Sequence, residues 1–467
     1  MPPTQPTQRL VVIGNGMAGA RLVEEIRARD GSDDFEIVMF GDEPYGNYNR
    51  ILLSGVLAGS HDPQDIFINP LRWYADHDVT LHAGVRVTAI DVEARIVHGE
   101  SGISEPFDRL VIATGSTPFI PPMAGLDDAS GARKPGIFVF RTLDDCEAMI
   151  AYAGAAADRG DAPGARTAAV IGGGLLGLEA ARGLQAQGLD VHVVHLMPWL
   201  METQLDATAG AVLHQTLEGM GVHVHLEALT TDVLGDERVT GLRFKDGSTL
   251  DCDMLVIAAG IRPSVALARE AGLPVERGLV IEDDLSVVGH SDIFAIGECA
   301  QHRGLVYGLV APLWEQARVL ADRLTGANAA ATYLGSQVST RLKVMGVDLA
   351  VMGVNTPADG DEVVSYVEAT SGIYKKLIVR DGRLAGAILL GDASSAPTLF
   401  HLFDQGGPLP DRRAELLFPL ASSSIEASVG DLPDSAQICN CNGVSKGAIV
   451  KGFCQNSGSV LSVASSN

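Results

Sequence analysis

The residues best placed to do chemistry in this chain are glycines. Gly14, Gly16 and Gly19 follow the apolar run at 11–13, and Gly172, Gly174 and Gly177 follow Val170 and Ile171, 158 residues later. Between a strand and a helix, G-x-G-x-x-G spacing does three things. The first glycine makes a tight turn, the second lets the backbone approach a pyrophosphate, and the third lets helix pack on strand. The helix start then turns free N–H groups and a partial positive charge towards the phosphates. One such motif is a weak signal, but two in the same setting point to two dinucleotides. Neither region holds a nucleophile, general acid or metal cluster. Chemistry carried by bound dinucleotides would need none of these from the protein, which would supply stacking, distance and exclusion of oxygen.

The elements that must hold these turns are legible around them. After the first motif Leu22, Val23 and Ile26 share one helical face, with Glu24, Glu25 and Arg27 opposite. Each motif then returns to a strand, at 36–40 in the first copy and 190–194 in the second, with a helix at 178–187 between. That is βαβ twice. An apolar run ending in Thr114-Gly115 recurs 145 residues later, ending at Ala259-Gly260, and a short buried strand at 291–298 ends in Gly297-Glu298.

Composition excludes other classes. The net charge of −24 repels nucleic acid and anionic lipid. No run of about 18 apolar residues suggests a membrane span. The N-terminus lacks the basic and apolar regions of a secretory signal, so a cytoplasmic home is expected. Six cysteines in 467 residues do not make a disulfide framework. Cys146, Cys252 and Cys299 are scattered and read as buried apolar residues, whereas Cys439 and Cys441 form a C-x-C pair near the end.

Strand-GxGxxG, Thr-Gly, a second GxGxxG and a terminal strand with Gly-acid resemble the two-dinucleotide-fold flavoprotein reductases. The resemblance implies an α/β protein with two Rossmann-like domains in a glutathione-reductase-like arrangement, plus a smaller α+β C-terminal domain. FAD would bind a fold made of 1–142 and 273–328, and NADH or NADPH the fold at 143–272. The C-terminal domain would cover 329–428, with a hairpin turning at Asp381-Gly382, and a short tail would follow at 429–467. The Gly/Ala/Asp-rich stretch 153–167 reads as a linker between the two folds. No redox cysteine pair of the disulfide-reductase kind occurs in either fold.

Further stretches narrow the likeness. Glu43-Pro44-Tyr45, Tyr48-Asn49-Arg50, Val139-Phe140-Arg141, Leu178-Glu179-Ala180 and Tyr307–Pro312 are similar to the N-terminal part of the NAD(P)H-dependent nitrite reductase large subunit. That resemblance implies electron flow from NAD(P)H through FAD to an iron–sulfur or sirohaem centre, as the flavin module of nitrite reduction to ammonia. It assigns Gly14, Gly16 and Gly19 to the FAD pyrophosphate, and Arg50 and Arg141 to the flavin phosphates. Asp42 or Glu43 would hold the adenosine ribose. Thr114, Gly115 and Gly297 form turns against FAD, Glu298 meets the ribityl chain, and Pro312 packs under the isoalloxazine. Gly172, Gly174, Gly177 and Gly260 belong to the NAD(P)H side, with Glu179 at the nicotinamide carboxamide. His195 stands where an NADH enzyme has an acid, 23 residues after Gly172. Cofactor preference is therefore expected to be weak or shifted towards NADPH.

The same resemblance makes Cys439 and Cys441 the start of a 2Fe–2S ligand set. Four thiolates are needed, yet only Cys454 follows. The expectation is that 429–467 hold no stable cluster and that a cluster belongs to a longer form. The redox partner would be a ferredoxin-like protein or a sirohaem domain, and a homodimer is left open. Two other functions stay open: a stand-alone ferredoxin or rubredoxin reductase, and a nicotinamide-sensing flavoprotein without turnover.

Overall fold

The computed structural model describes residues 7–29, 34–128, 130–158, 166–337, 339–418, 437–439 and 444–455. The chain opens on β1 (Gln8–Ile13), α1 (Met17–Arg27), β2 (Phe35–Gly41), β3 (Val79–Ala83) and β4 (Arg109–Ile112). It continues through β5 (Ile137–Val139), α2 (Leu143–Asp158), β6 (Thr167–Ile171), α3 (Leu175–Ala186) and β7 (Asp190–Val194). Then come α4 (Ala207–Gly219), β8 (Val222–His225) and β9 (Met254–Ile257), before β10 (Ile293–Ala295) and α5 (Val310–Leu324).

Two five-stranded parallel sheets result, ordered β10-β4-β1-β2-β3 and β5-β9-β6-β7-β8. Helices on parallel sheets bury both faces, which is why the strands read as unbroken apolar runs. Leu10, Val11 and Val12 have no exposure, and Leu22, Val23 and Ile26 of α1 are equally buried against them. Each sheet carries a three-stranded antiparallel meander, at 87–106 in the first and 230–251 in the second.

The folds are joined at matching points. Just after Thr114-Gly115 the segment Ser116–Pro118 pairs antiparallel with Ile261–Pro263, which follows Gly260. Phe119 N–H donates to the Gly260 carbonyl at 2.8 Å, and Ser264 N–H to that of Gly115 at 2.9 Å. The two turns therefore share one small ribbon.

The third unit is an antiparallel sheet of β11 (Ser339–Val344), β12 (Val347–Gly353), β13 (Glu362–Glu368), β14 (Ile373–Arg380) and β15 (Arg383–Leu390), ordered β11-β12-β15-β14-β13. Asp381 and Gly382 both take positive φ, 51° and 72°, as a two-residue hairpin turn of this kind requires. Helix α6 (Ala396–Gln405) covers the sheet, with Leu399 packed against Leu377 and Leu389. Asp206 ties this unit to the second fold. Its carboxylate caps α4 through Ala209 N–H, and accepts from Tyr374 Oη and Lys376 Nζ at 2.7 Å each.

Two boundaries differ from the sequence reading. Residues 153–158 are the last turns of α2 rather than linker, because their alanines favour helix; 159–165 lie outside the described residues. Helix α3 starts at Leu175, directly after the glycine turn, rather than at 178.

Candidate functional site

The three glycines of each motif have separable roles. Gly14 has φ +114°, and a Cβ there would stand 2.2 Å from the Ala113 carbonyl oxygen. Gly172 repeats this at φ +125°, 2.2 Å from that of Ala258. A Cβ on Gly19 or Gly177 would meet the carbonyl oxygen of Gly14 or Gly172 at 2.1 or 1.9 Å, so these glycines set the helix–strand approach. At Gly16 and Gly174 a Cβ meets nothing within 4 Å. Each caps its helix with extended backbone, so the space left open lies at a helix start, where a pyrophosphate fits.

A cavity of about 620 Å³ opens at the first turn, within the range of about 300–1,000 Å³ usual for ligand sites. All three units contribute to its wall. Gly14, Gly16, Thr114 and Gly115 come from the first fold, Leu175, Leu176 and Glu179 from α3 of the second, and Arg341 from the C-terminal sheet. Asp42, Glu43, Arg50, Arg141, Gly297 and Glu298 also line it.

Charged residues along this wall form pairs. Arg50 bonds Glu43 and donates to the Arg141 carbonyl at 3.0 Å, while its guanidinium lies 4.9 Å from the centre of the Tyr48 ring. Burial opposes the Arg50 charge, but Tyr48 and Glu43 outweigh it and hold its pKa above the ordinary value. Tyr48 Oη donates to Glu43 at 2.5 Å. Arg141 bonds Glu298, which also accepts from Ser116 Oγ at 2.7 Å. Gly297, at φ +88°, turns the chain so that Glu298 faces inward, and its N–H donates to the buried Gln316 at 2.8 Å. Asp42 instead pairs with Arg86 near the surface at 2.8 Å.

Glu179 is the unusual acid. It projects from the second turn of α3, and burial alone pushes its carboxyl up to about 7. At neutral pH it sits near half protonation, a condition suited to a group that holds or releases a proton.

His195 follows β7 and is buried, with both ring nitrogens taken by the protein. Gly173 N–H donates to Nδ1 at 3.0 Å, so the proton must sit on Nε2, which donates to Glu202 at 3.0 Å. The strand end therefore does carry a carboxylate, supplied by Glu202 seven residues later and held there through the imidazole.

Gly19, Pro312, Gly172, Gly174, Gly177, His195 and Gly260 are not in the cavity wall. Gly172, Gly174 and Gly177 form the second glycine turn, His195 accepts from its Gly173 N–H, and Gly260 lies at the ribbon between the folds. Pro312 is the third residue of α5, buried, and its neighbours Ala311 and Leu313 do the lining. Ser116, Tyr48, Arg341 and Glu202 carried no assigned role in the sequence. Ser116 adjoins the Thr-Gly turn and Tyr48 adjoins Arg50, which was the available signal; Arg341 and Glu202 reach their places only through tertiary packing. Cys439 lies in a short strand, Gln437–Cys439, and Cys441 lies outside the described residues. Cys146, Cys252 and Cys299 are buried and form no disulfide. Burial pushes the first two thiols up to about 12, so neither relays electrons as a thiolate at neutral pH.

A family model described as pyridine nucleotide-disulphide oxidoreductase matches residues 8–319, and one described as rubredoxin NAD+ reductase C-terminal domain matches 339–406. The chain is 43% identical over 446 residues to the NAD(P)H nitrite reductase of Bacillus subtilis (strain 168), covering 95% of this chain and 53% of that protein. It is 36% identical over 450 residues to the NADH nitrite reductase large subunit of Escherichia coli (strain K12), covering 95% and 51%. The chain thus spans about half the length of these curated relatives. Among solved structures, the ferredoxin reductase for the CYP199A2 system from Rhodopseudomonas palustris superposes with TM-score 0.75 at 26% identity, over 86% of this chain and 96% of that one. The reductase of the covalent putidaredoxin reductase–putidaredoxin complex gives 0.76 at 21% identity, over 90% and 100%, a likeness of fold alone.

Proposed function

The chain belongs to the pyridine nucleotide-disulphide oxidoreductase family, as an NAD(P)H-dependent flavoprotein oxidoreductase like the nitrite reductase large subunit, and from that premise we propose that it moves electrons from NADH through FAD to an iron–sulfur or sirohaem acceptor. The observation that carries the reading is the shared cavity, where the first glycine turn faces Glu179 from the second fold. A bound flavin supplies the two-electron chemistry. The chain's own residues bind and orient. Gly16 admits the FAD pyrophosphate, Arg50 and Arg141 neutralise it, and Glu298 accepts from the ribityl hydroxyls. Gly174 admits the nicotinamide dinucleotide, and Glu179 takes a hydrogen bond from its carboxamide. An ionised Glu179 beside a bound nicotinamide would favour the positive charge that hydride loss places on that ring.

The acceptor in this proposal is the centre at which nitrite is reduced to ammonia. Its support is the likeness to the nitrite reductases, of which this chain matches about half. A second reading, an NADH reductase for a separate ferredoxin or rubredoxin, is favoured by the C-terminal match at 339–406. Purified protein is expected to be yellow, with about one FAD per chain, and to reduce ferricyanide with NADH. Mixed with a sirohaem nitrite reductase module it should drive ammonia formation faster than it reduces rubredoxin or ferredoxin. The opposite ranking would select the second reading, and loss of both activities with FAD bound would defeat each.

A further inference from the structure

Away from the cofactor cavity, the second sheet carries a cluster that hydride transfer does not use. Asp190 begins β7, at the end of the sheet opposite the glycine turn, and His192 follows on the same strand face two residues later. In the edge strand β8, His223 stands in register with His192, and His225 with Val194. Val191 and Val193 point the other way, into the core beneath α3 and α4. The histidine face belongs to the side of the 230–251 meander, where Val194 packs with Val233, Leu242 and Phe244. Asp190 and His192 are half-buried, and His223 is exposed.

Donor atoms converge here. One Asp190 oxygen lies 3.6 Å from His192 Nε2 and the other 3.3 Å from His223 Nε2. One donor atom from each of the three residues lies within 4.8 Å of the other two. The His192 and His223 rings lie nearly parallel, 4.6 Å between centres. On its other side His192 Nδ1 is 2.9 Å from His225 Nε2. A proton on Nδ1 shared with His225 leaves the Nε2 lone pair of His192 facing Asp190 and His223. Metal-binding histidines are commonly oriented in this way by a second hydrogen bond. Burial first, and then the neighbouring His223 and His225, hold His192 below its ordinary pKa.

We propose that Asp190, His192 and His223 bind one divalent transition-metal ion of the zinc class, with His225 orienting His192. Two imidazoles and a carboxylate suit zinc, nickel or cobalt rather than calcium or magnesium, which prefer all-oxygen sites. Three protein ligands leave a fourth position to water. The ligand atoms must close by roughly 1 Å to reach the usual Zn–N and Zn–O distances of about 2 Å, and the exposed His223 side chain can make most of that movement. The ion would tie edge strand β8 to β7.

The test is equilibrium dialysis of untagged, FAD-loaded protein against Zn2+, with zinc counted by elemental analysis. Comparison is made with the double variant His192→Ala/His223→Ala and with the near-isosteric Asp190→Asn. Native protein should hold about one zinc per chain more than the double variant, and Asp190→Asn should bind that ion at least tenfold more weakly. Zinc on cysteine thiolates is common to all three proteins and cancels in the difference. Zinc should also raise the melting temperature of native protein by more than that of the double variant. Flavin content and ferricyanide reduction, which rest on residues elsewhere, report that each variant is folded; if the double variant is not, Asp190→Asn alone decides. Equal zinc content and equal affinity in native protein and folded variants would overturn the proposal.

Discussion

At the scale of single residues, the proposed reaction with the nicotinamide would turn on two acids. Glu179 is pushed up to about 7 by burial, from an ordinary 4.5. If its carboxylate stabilises the developing nicotinamide cation, the rate of flavin reduction by NADH should rise with pH through about 7. In Glu179→Gln that limb should vanish, leaving a rate lower by about tenfold or more at pH 8, read by stopped-flow bleaching of the flavin. The stability sign runs oppositely. The folded carboxyl keeps its proton to higher pH than the unfolded one, so this group costs stability as pH rises from about 4.5 towards 7. Glu179→Gln should therefore melt higher than the native protein at pH 8, while reacting more slowly. Glu202 is the second acid. Held by His195, it stands where a carboxylate would accept from the ribose 2′-hydroxyl and repel a 2′-phosphate. Glu202→Gln should lower the NADH-to-NADPH ratio of kcat/KM by about tenfold, close to 1.4 kcal/mol. An unchanged ratio would place ribose recognition elsewhere. Position 195 read alone carries the expectation of weak preference or a shift towards NADPH, and sequence spacing does not show that a loop brings Glu202 to the same ring; the Glu202→Gln ratio decides between the two.

At the scale of elements, the glycine turns separate folding from binding. Gly14→Val drives a side chain into the Ala113 carbonyl at a positive φ, so loss of stability should exceed about 3 kcal/mol and soluble yield should fall. Gly16→Val meets no protein atom near its Cβ. It should fold, show native-like far-UV circular dichroism and emerge colourless, because only the pyrophosphate is obstructed. Retention of full flavin by Gly16→Val would remove the first turn from the FAD site. These turns were legible in the sequence because strand, turn and helix are consecutive and their periodicities change sharply at the glycines. Arg50 and Glu298 were legible through local motifs. What spacing could not show was pairing: Arg50 with Glu43, and Arg141 with Glu298 across 157 residues. Nor could it show that α2 runs on through a stretch rich in small residues, where helix propensity outweighs a linker-like composition.

At the scale of the whole molecule, the three units share one apolar cluster, to which Leu57, Leu184 and Leu349 each contribute, and polar links such as that of Asp206 add to it. Burial works against an ionised Asp206, yet the bonds from Ala209 N–H, Lys376 and Tyr374 prevail and lower its pKa. Stability from this link is thus present above the ordinary carboxylate pKa and fades as pH falls below it. Lys376→Met should cost about 1–3 kcal/mol at pH 7 in chemical denaturation, less at pH 3, and should loosen the C-terminal sheet against α4. The net charge of −24 gives the acceptor side a further property. Association with a basic acceptor should slow as salt rises, whereas an acidic ferredoxin should associate faster with added salt. The ribbon of Ser116–Pro118 and Ile261–Pro263 has a mechanical consequence. Both crossings between the folds pass through this ribbon next to the cavity, so any rotation of one fold against the other would pivot beside that cavity. Atoms near a fulcrum travel little while those at the rim sweep widely. A swing that opens the outer mouth to an entering nucleotide would leave the Thr114 turn and Glu298 almost where they were, and their alignment would survive each cycle of opening.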